Sequence, residues 1–167
     1  MNNPSAPSAP GKLRANDRLK AWCEARSIPI DIQVMDDSTH TAEDAAKACG
    51  CHVSEIVKSL VFADKETGGC VLVLVAGDNR LDLKHFAATQ GRTLERANPR
   101  HVRDETGFAI GGIPPFGHSR PLPTYIDRQL LAHERVLAAA GTPLSLFAID
   151  PKLLAETTAA KLIDAAP

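Results

Sequence analysis

Cys70-Val71-Leu72-Val73-Leu74-Val75-Ala76 is apolar at every position and rich in β-branched side chains. A strand with one face in water alternates apolar and polar residues; this one does not, so both of its faces must be covered. Just upstream, Val57-Lys58-Ser59-Leu60-Val61-Phe62-Ala63 is a second β-rich run. Between them Asp64-Lys65-Glu66-Thr67-Gly68-Gly69 is a polar connector whose glycines suit a hairpin. The two runs predict a hairpin at the centre of a sheet, with helices or a curled continuation of the sheet on each side.

Outward from that centre, Ile30, Ile32 and Val34 alternate with Asp31, Gln33 and Met35 as a strand, and Leu122 to Ile126, Arg135 to Ala139 and Leu144 to Ile149 read as three more. Helices are expected over residues 15–26, capped by Asn16-Asp17, and from Thr41, which with Asp44 resembles a capping box, to a stop at Gly50. Further short helices are expected around Leu83, Phe86 and Ala87, from Pro99 to Glu105, and after Asp150-Pro151. Gly107 to Pro123 holds four glycines and four prolines, too many breakers for a regular element, and is expected as a shaped loop. Strands joined by short connectors predict an α/β (mixed α+β) class, with a mainly antiparallel, curled or barrel-like mixed sheet surrounded by helices. Residues 1–11, with Pro4, Pro7 and Pro10 and no charged side chain, are expected as a flexible leader, and residues 12–167 as a single domain.

A length of 167 residues with 44% apolar composition suffices for one core and excludes two large domains. Charge is balanced, 19 Lys and Arg against 20 Asp and Glu, so a nucleic-acid partner must meet a local patch rather than a general positive field. No apolar run reaches the roughly 18 residues of a membrane span, and the first residues lack the layout of a secretion signal, so a soluble, cytoplasmic protein with no membrane partner is expected. Cys23, Cys49, Cys51 and Cys70 form no pair of C-x-x-C ribbons. Cys49-Gly50-Cys51-His52 could offer ligands to a metal but has no second half, so the expectation is reduced thiols, no metal and no cofactor.

Three features could carry chemistry. Lys58 puts a charge inside an apolar strand, where it either snorkels from an edge or points into a polar cavity to bind phosphate or stabilise developing negative charge. Gly111-Gly112-Ile113-Pro114-Pro115-Phe116-Gly117-His118 is either a tight structural crossing or a stiff loop whose amides cradle an oxygen. From Asp78 to Arg103, Arg80, Lys84, Arg92, Arg96, Arg100 and Arg103 face three acids, which makes either a solvated face or a phosphate-binding patch. Phosphate-loop, dinucleotide, nucleophile-elbow and zinc-protease motifs are all absent.

Taken in order, Thr41 to Ala46, Ile56 to Phe62, Val71 to Asp78, Gly107 to His118, Leu122 to Asp127 and Ala139-Ala140-Gly141-Thr142-Pro143 resemble the YbaK family. That family comprises aminoacyl-tRNA deacylases related to the editing domain of bacterial prolyl-tRNA synthetase, and the resemblance runs from about Ala15 to Leu154. It implies a proofreader acting in trans that hydrolyses the ester of a mischarged tRNA, usually proline tRNA, with prolyl-tRNA synthetase as a candidate partner. Such a second sieve is needed because one methylene gives a synthetase only about 1–3 kcal/mol of discrimination.

By position, the resemblance makes Lys58, Gly111 and Gly112 the catalytic residues, the lysine holding the terminal phosphate or ribose and the loop binding the aminoacyl group or oxyanion. Ser59, Ile113, Pro115, Gly117, His118, Ala140, Gly141 and Thr142 are the expected substrate-binding residues, with Asp127 as a further candidate and no metal implied. Ser59 stands where alanine-removing members have Asn, and Ala140-Gly141-Thr142-Pro143 where they have a His-Pro pair; Leu146 and Ala140 stand near where members acting on cysteinyl-tRNA have an acidic residue and a glycine. Serine, threonine or 2-aminobutyrate is the remaining expectation. The alternative function is a non-catalytic module, associated with a synthetase, that binds tRNA acceptor ends or a nucleotide in the same pocket.

Overall fold

Helix starts are set by capping side chains in every case but the first. A computed structural model describes residues 14–36, 39 and 41–167, so the leader expected at residues 1–11 lies outside the described residues. Helix α1 (Ala15–Ala25) follows Arg14 with no side-chain cap, so Asn16 does not cap it as expected. Asn16 instead donates to the Ala140 carbonyl at 2.7 Å and to Ser145 Oγ at 2.8 Å, tying the helix to a distant turn. After the short strand β1 (Gln33–Val34) comes α2 (Ala42–Cys49), whose Thr41 hydroxyl accepts from the Asp44 amide at 3.0 Å and which ends on left-handed Gly50.

The central hairpin is β2 (Val57–Asp64) and β3 (Cys70–Ala76), paired from Val57 with Ala76 to Ala63 with Cys70. Helix α3 (Leu83–Gln90) starts on Asp82, β4 (Leu94–Arg96) follows, and α4 (Pro99–Thr106) starts on Asn98 with proline in its first turn. Beyond the glycine-proline loop lie β5 (Thr124–Asp127), β6 (Val136–Ala139), β7 (Ser145–Ile149), α5 (Pro151–Thr158), capped by Asp150, and β8 (Lys161–Ile163). Neither β4 nor β8 is expected from sequence; each has three residues, too few to show a period.

All seven residues of β3 are buried. Leu72, Leu74 and Ala76 pack with Leu19, Cys23, Phe116, Phe147 and Leu154, while Val71, Val73 and Val75 pack with Phe86, Leu94 and Tyr125. This double covering is what the unbroken apolar run demands.

A single α/β domain results, but the curled or barrel-like sheet does not. The strands form a five-stranded mixed sheet, β4-β2-β3-β5-β8, and a three-stranded antiparallel sheet, β1-β7-β6. The β3–β5 and β5–β8 pairs are parallel, which accounts for their long crossovers. Between the two sheets stands one isolated parallel bridge, Ile56 to Leu137. Continuous pairing of β2 with β6 would be needed to curl one sheet into the other, and the loop at Gly111-Gly112 borders that gap instead.

Candidate active site

A cavity of about 570 Å³ opens along the edge of β2, bordered by every residue from Ile56 to Phe62. Consecutive strand residues point to opposite faces, so they can share one cavity only if it wraps an uncovered edge. That is the case here: β4 covers β2 only from Phe62 to Asp64, and the bridge to β6 lies at Ile56. The Asp64 amide bonds to Gly69 across the hairpin and the Lys65 amide to Thr93 on the other side, both at 2.9 Å. Alternation therefore turns the peptide groups of Ser59 and Val61 toward the cavity. The remaining walls include Thr41 and Glu43 at the start of α2, Gly111 to Ile113 of the loop, and the apolar Ala45, Ala139 and Leu146.

Lys58 is half-buried and lies on the face of β2 that carries Leu60 and Phe62. Its Nζ donates to the Asn79 carbonyl. Burial pulls its pKa down, an effect opposed by the carboxylates of Glu43, Asp78 and Asp127 and reinforced by Arg80. Ser59 lies on the opposite face, and its buried Oγ has no partner among the described residues.

Gly111 has φ +101°, a backbone that residues other than glycine rarely adopt, and Gly112 is needed for a different reason. A Cβ on Gly112 would stand 2.6 Å from Thr142 Cα and carbonyl carbon. The loop therefore rides directly on the backbone of the 140–142 turn. Neither amide of Gly111 or Gly112 is hydrogen-bonded to another of the described residues, so both still call for an acceptor, and both residues border the cavity.

The expected site residues thus divide. Lys58, Ser59, Gly111, Gly112 and Ile113 line this cavity, while Ala140, Gly141 and Thr142 do not border it; Thr142 stands behind Gly112 and Gly141 packs against Ala15. Pro115, Gly117 and His118 line a second cavity, of about 530 Å³, with Trp22, Arg26 and Thr157. His118 Nε2 lies 2.7 Å from the Pro114 carbonyl. Burial lowers its pKa, with the Pro114 carbonyl pulling the other way, so the ring is neutral at neutral pH and donates that bond. The unfolded chain then binds a proton that the native chain resists, and stability falls as pH drops below about 6.5, levelling off once the depressed native value is passed. His118→Gln is expected to remove this part of the acid-side loss, seen by urea denaturation of both proteins from pH 8 to 5; a difference that stays constant with pH refutes it.

Sequence reading misses the uncovered edge of β2, because coverage depends on where distant β4 and β6 pair. It also misses Glu43 and Thr41 as cavity walls, although Thr41 is legible as a cap. The Cys49 to His52 cluster has a structural explanation: Cys49 and Cys51 pack among Ala45, Ile56 and Leu137, and burial pushes both thiols up. His52 caps a turn, accepting from the Ser54 amide at Nδ1. No group of three potential ligands that could hold a metal occurs among the described residues. In the basic run Arg92 turns inward, to Asp64 at 3.0 Å and the Tyr125 hydroxyl at 2.9 Å, while Arg80, Lys84, Arg96, Arg100 and Arg103 are exposed.

A family model described as the aminoacyl-tRNA editing domain matches residues 36–157, a span that holds every residue lining the first cavity. The chain belongs to the aminoacyl-tRNA editing domain family. This family of trans-editing deacylases acts on mischarged tRNAs, and the YbaK resemblance read from the sequence is membership in it. Among its relatives, YwhH of Bacillus subtilis is 33% identical over 132 residues, 79% of this chain and 83% of YwhH. EbsC of Enterococcus faecalis, named as a candidate Cys-tRNA(Pro)/Cys-tRNA(Cys) deacylase, is 30% identical over 102 residues, 60% of this chain and 62% of EbsC. A crystal structure described as a candidate trans-editing enzyme for prolyl-tRNA synthetase superposes with a TM-score of 0.86 at 42% identity, covering 94% of this chain and 99% of that one. Among the described residues no helix is long and apolar enough to cross a membrane.

Proposed function

We propose that the protein hydrolyses, in trans and in the cytoplasm, the ester that joins a small non-cognate amino acid to tRNA, with proline tRNA as the carrier. The observation that carries this reading is that Lys58 and the Gly111-Gly112 backbone, whose amides have no partner among the described residues, border one cavity in a chain of the editing-domain family. Its volume of about 570 Å³ suits an aminoacyl group with part of its ribose. Water attacks the ester carbonyl, the oxyanion forms against the loop amides, and collapse breaks the bond to the ribose oxygen, which takes up the proton that the attacking water gives up, leaving a free amino acid and a ribose hydroxyl. Lys58 supplies positive charge beside the terminal phosphate or ribose. Glu43, at the mouth, offers a carboxylate to the α-ammonium, and the apolar walls Ala45, Ile56, Ala139 and Leu146 enclose a small side chain. Every step uses only these groups and water.

EbsC's name brings cysteine back beside serine, threonine and 2-aminobutyrate, and alanine joins the panel as the case that Ser59 argues against. The test is release of each labelled amino acid from mischarged proline tRNA. Decay above the buffer rate for at least one small amino acid, with prolyl-tRNA spared, is the expected result. Turnover of none overturns the reading, and tRNA binding without turnover would leave the non-catalytic module in its place.

A further inference from the structure

We propose that Asp127 and Asn79 are positioning residues that hold the Lys58 ammonium at the cavity wall, Asp127 acting through Asn79. This rests on the deacylase reading for its purpose but not for its geometry. Asp127, at the end of β5, is 1% exposed. A buried carboxylate is costly unless its charge is answered. Asp64 shows the usual answer, an ion pair with Arg92 at 3.0 Å. Asp127 has no such pair among the described residues; it is held by dipoles alone. Its Oδ2 accepts from the Ala76 amide at 3.1 Å and from Asn79 Nδ2 at 2.8 Å, and its Oδ1 accepts from the Gln129 amide at 3.0 Å.

Two of those three donors belong to the segment that leaves β3 and ends on the residue gripping Lys58. Asn79 gives its side-chain amide to Asp127 and its backbone carbonyl to Lys58 Nζ, so the two bonds are made from opposite ends of one residue. A lysine ammonium on four methylenes has no preferred direction of its own. Here one N–H is anchored, and among the described residues the other two have no partner and remain for a ligand. The charged groups around the ammonium are Glu43 of α2, Asp78 and Arg80 of the turn, and Asp127 of β5. Removing Asp127 therefore both loosens the tether and withdraws a charge that favours the protonated amine.

The experiment compares wild type with Asp127→Asn and Asn79→Ala. The first reading is the rate at which an amine-acylating reagent modifies Lys58 in the unliganded protein, followed by peptide mass spectrometry across pH with exposed Lys152 as internal reference. The second is kcat and KM on the best substrate of the mischarged tRNA panel. Both variants are expected to label Lys58 severalfold faster than wild type relative to Lys152. They are also expected to lose about tenfold or more in kcat with a smaller change in KM. Asn79 is only half-buried, so Asn79→Ala decides the matter if Asp127→Asn does not fold. Unchanged Lys58 labelling, with kcat falling only as the folded fraction falls, reduces both residues to structural roles and overturns the proposal. If wild type hydrolyses nothing in the panel the deacylase reading fails, and the labelling rates alone still decide whether the tether exists.

Discussion

Replacing Lys58 with alanine is expected to lower kcat/KM for deacylation by about 100-fold or more, the cost of removing one well-placed stabiliser of developing charge. Stability is expected to change by no more than about 1 kcal/mol, since the ammonium is already partly desolvated and its loss leaves only the part-buried Asn79 carbonyl without that donor. The two effects separate because Lys58 is a strand residue whose backbone pairing with Val75 survives the substitution. Lys58→Arg is expected to restore little, because a planar guanidinium cannot keep one N–H on the Asn79 carbonyl while presenting a compact charge to the cavity. Single-turnover deacylation and thermal denaturation of the three proteins check this. Wild-type turnover by Lys58→Ala would remove the lysine from the reaction.

The hairpin, both faces of β3 and the glycine stop of α2 were legible because each is written in a local pattern: a polar connector, an unbroken apolar run, a left-handed glycine after a helix. Lys58 stood out for the same reason, as one charge in an apolar strand. The rest of the site lay in pairings that local patterns do not encode. Nothing near Ser59 says that β4 stops at Phe62, and that stop is what opens the edge of β2 to the cavity. The glycine-proline loop read as one unit, yet its first half borders one cavity and its second half another. The buried run from Gly112 to Phe116 separates them, with Ile113 packed against Val102 and Phe108 and Phe116 stacked on Trp22 at 5.1 Å. His118 was grouped with the site through the loop's resemblance to the family, whereas it borders the second cavity. Asp127 was visible as a motif residue, but its partner Asn79 lies 48 positions away and read only as part of a turn.

Gly112→Ala is expected to damage the reaction more than its loss of stability explains. The added methyl would stand 2.6 to 2.7 Å from three backbone atoms of Thr142, and backbone cannot swing aside as a side-chain tip can. One of the two segments must retreat. The 140–145 turn is held by Asn16, which donates to the Ala140 carbonyl and to Ser145 Oγ, and by a 2.7 Å contact between the Thr142 and Ser145 hydroxyls. Its other flank is tied at Pro143, whose carbonyl accepts the Thr39 amide at 2.8 Å. The loop has no comparable hydrogen bonds at Gly111 or Gly112, so the loop gives way and carries its free amides with it. A displacement near 1 Å is worth about 100-fold in rate when the displaced groups must meet a reacting oxygen, whereas overpacking of this kind costs about 1–3 kcal/mol of stability. Gly91→Ala supplies the contrast: its φ of +73° strains any side chain, but nothing lies within 4 Å of the added methyl, and the position is remote from the cavity lining. It is expected to lose about 1 kcal/mol and keep wild-type kcat. Measured side by side, a loss of kcat in Gly112→Ala far beyond what its loss of melting temperature accounts for, with none in Gly91→Ala, supports the loop amides as the oxyanion site. Wild-type kcat in a folded Gly112→Ala protein would move the oxyanion elsewhere, to the Ser59 and Val61 peptide groups on the open edge of β2.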